Sequence, residues 1–102
     1  MFRRVEAAGV LLDYVNDHPF TLDSPYASAT APGVAFVAVE IDGVTVDAVY
    51  VGNGSSHSWW TGAGGKLLPR GLAPGQRLRV SADAACAFRV DWDGEVDLKF
   101  KG

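Results

Sequence analysis

The chain has 102 residues, which corresponds to one ordinary domain built around one hydrophobic core. Nine Lys and Arg residues are scattered among twelve Asp and Glu residues, and the formal net charge of -3 argues against a surface that binds nucleic-acid phosphates. The single cysteine, Cys86, cannot form an intramolecular disulfide, which excludes the disulfide-rich class of small secreted proteins. No segment approaches the roughly 18 to 20 apolar residues that span a bilayer, so we expect no membrane insertion.

The first residues match a signal peptide only in part. Arg3 and Arg4 precede an apolar stretch, but Glu6 and Asp13 interrupt that stretch. We therefore predict that this segment is mature sequence and not a signal peptide.

Alternation of apolar and polar residues predicts the first strand at residues 10–15, where Val10, Leu12 and Tyr14 share one face. Residues 20–22 predict a short edge piece. The following segment, residues 23–33, is rich in Ser, Ala, Thr and Pro, and this composition predicts a long loop.

The strongest signal in the chain is a β-hairpin over residues 34–51. Two runs rich in β-branched and aromatic residues flank Asp42-Gly43, the residue pair that a two-residue type I′ turn prefers. This turn predicts four cross-strand pairs on one apolar face: Ile41 with Val44, Val39 with Val46, Val37 with Ala48, and Ala35 with Tyr50. The opposite face is polar only near the turn, so we expect the hairpin to be exposed at its tip and covered on both sides at its base.

Residues 52–65 predict a second long loop, and this loop carries the most informative side chains. Neighbours on an extended chain point to opposite sides, so at most one ring of the Trp59-Trp60 pair faces the core. One interpretation is purely structural, with one ring closing the core and the other packed beneath the Gly-rich loop. The other is an aromatic platform for a sugar ring, or a subunit contact. His57 and Trp92 complete the set of candidate binding residues.

The remaining strand signals lie in the last third of the chain. Residues 77–83 follow a Pro74-Gly75 turn and alternate apolar with polar side chains, which predicts a half-buried strand. Residues 86–100 predict a second hairpin with a three-residue loop at residues 92–94. Its apolar face pairs Val90 with Val96, Phe88 with Leu98, and Cys86 with Phe100. This register leaves Trp92 partly exposed at the turn and makes Cys86 a buried apolar residue.

Closely spaced strands and the near absence of helical spacing together predict an all-β fold. We predict a single domain over residues 1–102, an antiparallel β-sandwich of jelly-roll or Ig-like type with long loops.

No motif predicts a metal, a cofactor or a catalytic centre. Asp91, Asp93 and Glu95 alternate around Gly94 as in the start of a calcium loop, but no distal Glu completes the ligand set. The two histidines and Cys86 show no zinc spacing, and no Gly-x-Ser-x-Gly motif is present. We therefore expect a protein that is not an enzyme and holds no cofactor.

The segment Leu-Ala-Pro-Gly-Gln-Arg-Leu-Arg-Val at residues 72–80, followed by the predicted terminal hairpin, carries a family resemblance. It resembles small β-sandwich proteins of tailed-phage particles, such as head decoration, spike, fibre or tail-adaptor subunits, over about the last third of the chain. The resemblance implies homo-oligomerisation, often three-fold, and attachment to a capsid or tail. With no signal peptide predicted, the expected location is the virion or the cytoplasm.

Two functions follow as alternatives. The first is a non-enzymatic structural subunit of a larger particle such as a phage virion, whose partners are further copies of itself or other subunits. The second is a carbohydrate-binding module or receptor-binding domain that uses exposed Trp residues. We expect no nucleic-acid partner in either case.

Overall fold

In the computed structural model the chain is all-β. The structure describes residues 2–23, 26–53, 56–60, 67–68 and 71–92, and for Trp60 the backbone alone; none of these residues is helical. In chain order the strands are β1 (Phe2–Val5), β2 (Gly9–Val15), β3 (Tyr26–Thr30), β4 (Val34–Ile41), β5 (Val44–Gly52), β6 (Ser56–Trp60), β7 (Arg77–Ala82) and β8 (Cys86–Asp91).

The strands form two four-stranded antiparallel sheets that pack together, which confirms the predicted β-sandwich. Sheet I has the order β1-β8-β3-β6, and sheet II has the order β2-β7-β4-β5. The pairing is nested, because β1 pairs with β8, β2 with β7, β3 with β6 and β4 with β5. Edge strands β1 and β2 are neighbours on one side of the sandwich, and β5 and β6 are neighbours on the other.

Alternating side chains fill the space between the sheets. In β7, Leu78 and Val80 are fully buried while Arg77 and Arg79 are exposed, as the alternation predicts. Cys86 is also buried, which confirms the prediction that it is part of the core. Burying one Val, Leu or Phe side chain contributes about 1.5–3 kcal/mol. The inner residues therefore determine which side of each strand faces the solvent.

The predicted hairpin forms as strands β4 and β5, with the predicted turn. Asp42 and Gly43 have φ angles of 51° and 81°, the left-handed conformation that a type I′ turn requires at both positions. Ile41 pairs with Val44 across it, also as predicted.

Beyond the turn, the register differs from the prediction because a β-bulge interrupts the hairpin. Val39 pairs with Asp47, one residue further than predicted, and every later pair is displaced in the same way. Ala35 accordingly pairs with Val51, so its predicted pairing with Tyr50 is wrong. A shift of one residue moves a side chain to the other face of a sheet. Val51 is therefore in the core, and Tyr50 is outside it.

The base of the hairpin is less covered than predicted. Val34 is 57% exposed and Tyr50 is 74% exposed. The expectation that both sides of the base are buried is therefore wrong for the outer side of sheet II in the described part of the chain.

Two strands lie where the sequence predicts loops, and β1 was not predicted at all. Strand β3 occupies the middle of residues 23–33, and β6 lies within residues 52–65. The sequence of β3 is Tyr-Ala-Ser-Ala-Thr, in which the Ala and Ser residues have a weak strand preference of their own. Ala27 and Ala29 are fully buried, so packing between the sheets decides the conformation here.

Residues 20–22 form an isolated bridge between Leu22 and Leu72 instead of the predicted edge piece. The buried side chain of Asn16 holds this region. Its Nδ2 donates to the carbonyl oxygens of Phe20 (2.9 Å) and Leu72 (2.8 Å), and its Oδ1 accepts the N–H of His18 (3.0 Å). Asn16 therefore satisfies backbone groups that a strand would otherwise pair.

The predicted C-terminal hairpin is described only in its first strand. Cys86, Phe88 and Val90 are buried in β8, as predicted. The predicted pairs with residues 96, 98 and 100 lie outside the described residues. Within the described chain, β8 has β1 on one side and β3 on the other.

Candidate functional site

Trp59 is a core residue. It is 2% exposed, and its ring contacts those of His57 and Phe88 at centroid distances of 4.5 and 6.3 Å. Its indole Nε1 donates a 2.5 Å hydrogen bond to Oδ2 of Asp47 on β5. Trp59 thus ties the edge strands of the two sheets together, and this position rules out its predicted role in an exposed aromatic platform.

The other predicted site residues do not join Trp59 in one platform. His57 is half-buried beside Trp59, where the edge strands β5 and β6 are neighbours. Trp92 is half-buried, which agrees with its predicted partial exposure, and it contacts Tyr14 at a centroid distance of 6.3 Å. Its indole N–H is buried without an acceptor among the described residues. The side chain of Trp60 lies outside the described structure.

The most exposed aromatic ring among the described residues belongs to Tyr50, on the outer side of sheet II. Tyr50 pairs with Phe36, and the two rings lie 4.7 Å apart at an angle of 55°. One row along, Ala38 pairs with Ala48. We call the surface made by Val34, Phe36, Ala38, Ala48 and Tyr50 the apolar face. Sequence reasoning missed it because the bulge reverses the side on which Ala48 and Tyr50 lie.

The opposite end of the same outer surface is charged. Asp13, Arg79 and Glu40 lie in one row across β2, β7 and β4. Arg77 holds Asp13 through two hydrogen bonds, one of them from Nε at 2.6 Å. These bonds lower the pKa of the Asp13 carboxyl. Charge is thus gathered at the tip of the β4–β5 hairpin, away from Tyr50.

The outer surface of sheet I is polar across β6, β3 and β8 in two rows, the first of which ends at the exposed Phe2 on β1. Ser58, Ser28 and Arg89 lie in register across β6, β3 and β8. A second row contains Ser56 and Thr30. These hydroxyls and the guanidinium keep their hydration, so this surface gains little from being covered.

The β5 edge of sheet II is blunted at its centre. Oδ1 of Asp47 accepts the N–H of Ala48 at 2.9 Å, while Oδ2 accepts the Trp59 indole. An inward carboxylate and a β-bulge are two devices that discourage another strand from pairing with an edge. The edge of β5 is therefore a poor site for strand addition, and the apolar face beside it stays open.

A groove of about 260 Å³ lies at one end of the apolar face, between β5 and β6. Tyr50, Asn53, Ser56 and His57 supply its polar groups, and Val34, Val51 and Gly52 complete its lining. Gly52 has a φ of +148°, and a Cβ there would lie 1.9 Å from the carbonyl oxygen of Gly33. No other residue fits at this position, so the close approach of the two chain segments that shapes the groove depends on glycine.

A larger cleft of about 490 Å³ opens at the end of sheet I near β1. Small side chains, among them Ala31, Ala85 and Ala87, line it together with the buried Cys86. Burial raises the pKa of the Cys86 thiol, which keeps it protonated and a poor nucleophile at neutral pH.

No metal-binding cluster of three or more His, Cys, Asp or Glu side chains occurs in the described part of the chain. The same residues form no helix that could span a bilayer. The chain matches no family model, no curated protein and no solved structure.

Proposed function

We propose that this protein is a non-enzymatic structural subunit that associates with further copies of itself through the apolar face of sheet II. The observation that carries the proposal is the Phe36–Tyr50 pair, whose tyrosine is 74% exposed in the middle of uncharged neighbours. Single exposed apolar residues are normal on a protein surface, but a contiguous patch of them marks an interaction site.

The energetic argument rests on the two aromatic side chains. Complete burial of a large apolar side chain contributes about 1.5–3 kcal/mol, and Tyr is enriched among the residues that dominate interface energies. The five side chains of the apolar face carry no charge. One carboxylate, Asp83, lies beside Phe36, where its Oδ1 accepts the Phe36 N–H at 2.7 Å, so the electrostatic cost of covering the face is confined to that margin.

A second copy of the chain is the partner that fits this face. The face has no net charge, so it does not require a partner of opposite charge, and two identical sheet faces can pack at about 10 Å as sheets do in a sandwich. Such a contact is isologous, with the same residues on both sides. The blunted β5 edge disfavours a competing mode, in which a strand of another copy would add to that edge.

We further propose that the sandwich is of the jelly-roll type. The sheet orders β1-β8-β3-β6 and β2-β7-β4-β5 correspond to one long nested hairpin rolled into two sheets. Viral capsid subunits and lectins both use this architecture, so the fold is compatible with a phage virion component such as a decoration, spike or tail subunit. This support is an analogy of fold, since one architecture serves many functions.

The experiment is sedimentation equilibrium on wild type, Ala48→Arg and Thr45→Arg. Ala48 is exposed on the apolar face, whereas Thr45 is exposed on the same strand at the charged tip. We expect wild type and Thr45→Arg to form the same oligomer, and Ala48→Arg to associate at least about tenfold more weakly, a change of about 1.4 kcal/mol. Circular dichroism verifies that both variants fold. A wild type that stays monomeric, or an oligomer that Ala48→Arg leaves intact, contradicts the proposal.

A further inference from the structure

We propose that the groove between β5 and β6 binds a neutral carbohydrate, with a sugar ring stacked on Tyr50. The inference does not rest on self-association, but a second copy on the apolar face would compete with the sugar, because the groove and the face share Val34 and Tyr50. It moves the predicted carbohydrate site from the buried Trp59 to an aromatic ring that solvent reaches.

Tyr50 has the properties of a stacking platform. Its ring is largely exposed, yet its contact with Phe36 at 4.7 Å restrains its orientation. A restrained ring loses little conformational entropy when a ligand covers it. The apolar side of a pyranose ring gains from such contact, while the phenolic hydroxyl remains available to a sugar hydroxyl.

The polar groups of the groove can both donate and accept hydrogen bonds. They are the Asn53 amide, the Ser56 hydroxyl and the His57 imidazole. None of these side chains has a hydrogen-bond partner among the described residues. No Lys, Arg, Asp or Glu of the described chain lines the groove. A neutral polyhydroxyl compound matches this set, whereas a phosphate or an acidic sugar would lack a cationic partner.

The backbone fixes these groups in place. Asn53 has a φ of 55°, a left-handed conformation that Asn tolerates better than most residues, and its N–H donates to the carbonyl oxygen of Gly33 at 3.0 Å. His57 is held by its edge contact with the buried Trp59. A volume of about 260 Å³ lies just below the usual range for drug-sized ligands, so the groove suits one or two sugar residues.

The test is an NMR titration of the full chain with neutral sugars, in which the backbone amide chemical shifts report binding. The probes are glucose, galactose, N-acetylglucosamine and the β1-4-linked dimers of glucose and N-acetylglucosamine; glucuronic acid serves as the charged comparison. We expect a neutral probe to shift the amides of Tyr50, Asn53 and His57 in the millimolar range typical of small, shallow sites. Glucuronic acid should bind more weakly.

Variants separate the groove from the apolar face. Tyr50→Ala and His57→Ala should each weaken binding at least about fivefold, or about 1 kcal/mol, while Tyr50→Phe keeps the stacking ring and most of the affinity. Ser58→Ala, on the outer surface of the same strand as His57, is the matched control and should bind as wild type. Ala48→Arg, in which self-association is weakened, leaves Tyr50 accessible and should bind the sugar at least as well as wild type.

Three results would overturn the inference: no groove amide of wild type or of Ala48→Arg shifts with any neutral probe, Tyr50→Ala binds like wild type, or glucuronic acid binds best. His57→Ala that binds normally while Tyr50→Ala does not would also contradict the assigned role of the polar groups. Each of these outcomes leaves the self-association experiment unaffected, because the latter compares wild type, Ala48→Arg and Thr45→Arg in the absence of sugar.

Discussion

The two sheets of the sandwich have the same size and pairing pattern, yet their outer surfaces differ in chemistry. On the outer side of sheet I, Ser28 pairs with Ser58 of the edge strand β6. On the outer side of sheet II, Phe36 pairs with Tyr50 of the edge strand β5. At this position sheet I folds with a polar pair, although Tyr26 and the exposed Phe2 lie elsewhere on its outer side. An aromatic pair is therefore not needed for two strands of this protein to pair there, and the difference supports the proposed contact on sheet II.

The inner surfaces, by contrast, are alike. Both sheets contribute fully buried apolar side chains, such as Phe88 from sheet I and Val37 from sheet II. The hydrogen bond between Trp59 and Asp47 links the two sheets where their edge strands β5 and β6 are neighbours. Inner residues should thus govern stability, and outer residues should govern association.

The largest expected effect tests this division on a single strand. Trp59→Ala removes a buried ring and leaves a cavity, so we expect a loss of about 3–5 kcal/mol in the free energy of unfolding. Ser58→Ala, the exposed neighbour of Trp59, should change it by no more than about 0.5 kcal/mol. Urea denaturation at low protein concentration measures both. Similar values for the two variants would mean that Trp59 is not in the core.

Adding an apolar pair to the outer surface of sheet I should have an intermediate effect, on the mass of the oligomer. The double variant Ser28→Val with Ser58→Val places an apolar pair on sheet I while favouring the strand conformation. We expect it to fold and to form species larger than the wild-type oligomer, because a second face now attracts neighbours. Light scattering after size-exclusion chromatography reports the mass. An unchanged mass would show that an exposed apolar pair is insufficient for association.

The smallest expected effect concerns the charged end of sheet II. Arg77 lowers the pKa of Asp13 in the folded state, so the folded protein binds a proton there less readily than the unfolded chain. The pair therefore contributes stability above the unfolded pKa of about 3.9, and this contribution disappears as the pH falls through the lower folded pKa. Asp13→Asn should be slightly less stable than wild type at pH 7 and equal to it in stronger acid. A difference that grows as the pH falls would reverse the assigned sign.

The strand pattern of the inner core could be predicted from the sequence, because alternation over β4 and β7 depends on burial alone. The Asp42-Gly43 turn could also be predicted, since few residue pairs adopt two consecutive left-handed conformations. Strands β3 and β6 could not be predicted in this way. Their Ala and Ser residues carry no strand signal, and only the second sheet placed against Ala27 and Ala29 decides their conformation.

The candidate site was harder to predict than the core, because it depends on one bulge. A bulge adds one residue to one strand and leaves no distinctive mark in a run of alternating apolar residues. A hairpin without a bulge places Tyr50 on the inner face of the sheet, and the Trp59-Trp60 pair is then the aromatic candidate for binding. The displaced register exposes Tyr50 and pairs Asp47 with the buried Val39, so that the Asp47 carboxylate faces inward and accepts the Trp59 indole N–H.

The most direct measurement of the central claim is hydroxyl-radical footprinting of wild type at dilute and at concentrated conditions. If copies associate through the apolar face, oxidation of Phe36 and Tyr50 falls as the concentration rises, while Phe2 on sheet I, itself 58% exposed, reacts equally in both. Equal reactivity of Tyr50 at both concentrations in a protein that nevertheless oligomerises, or protection of Phe2 instead, would contradict the account.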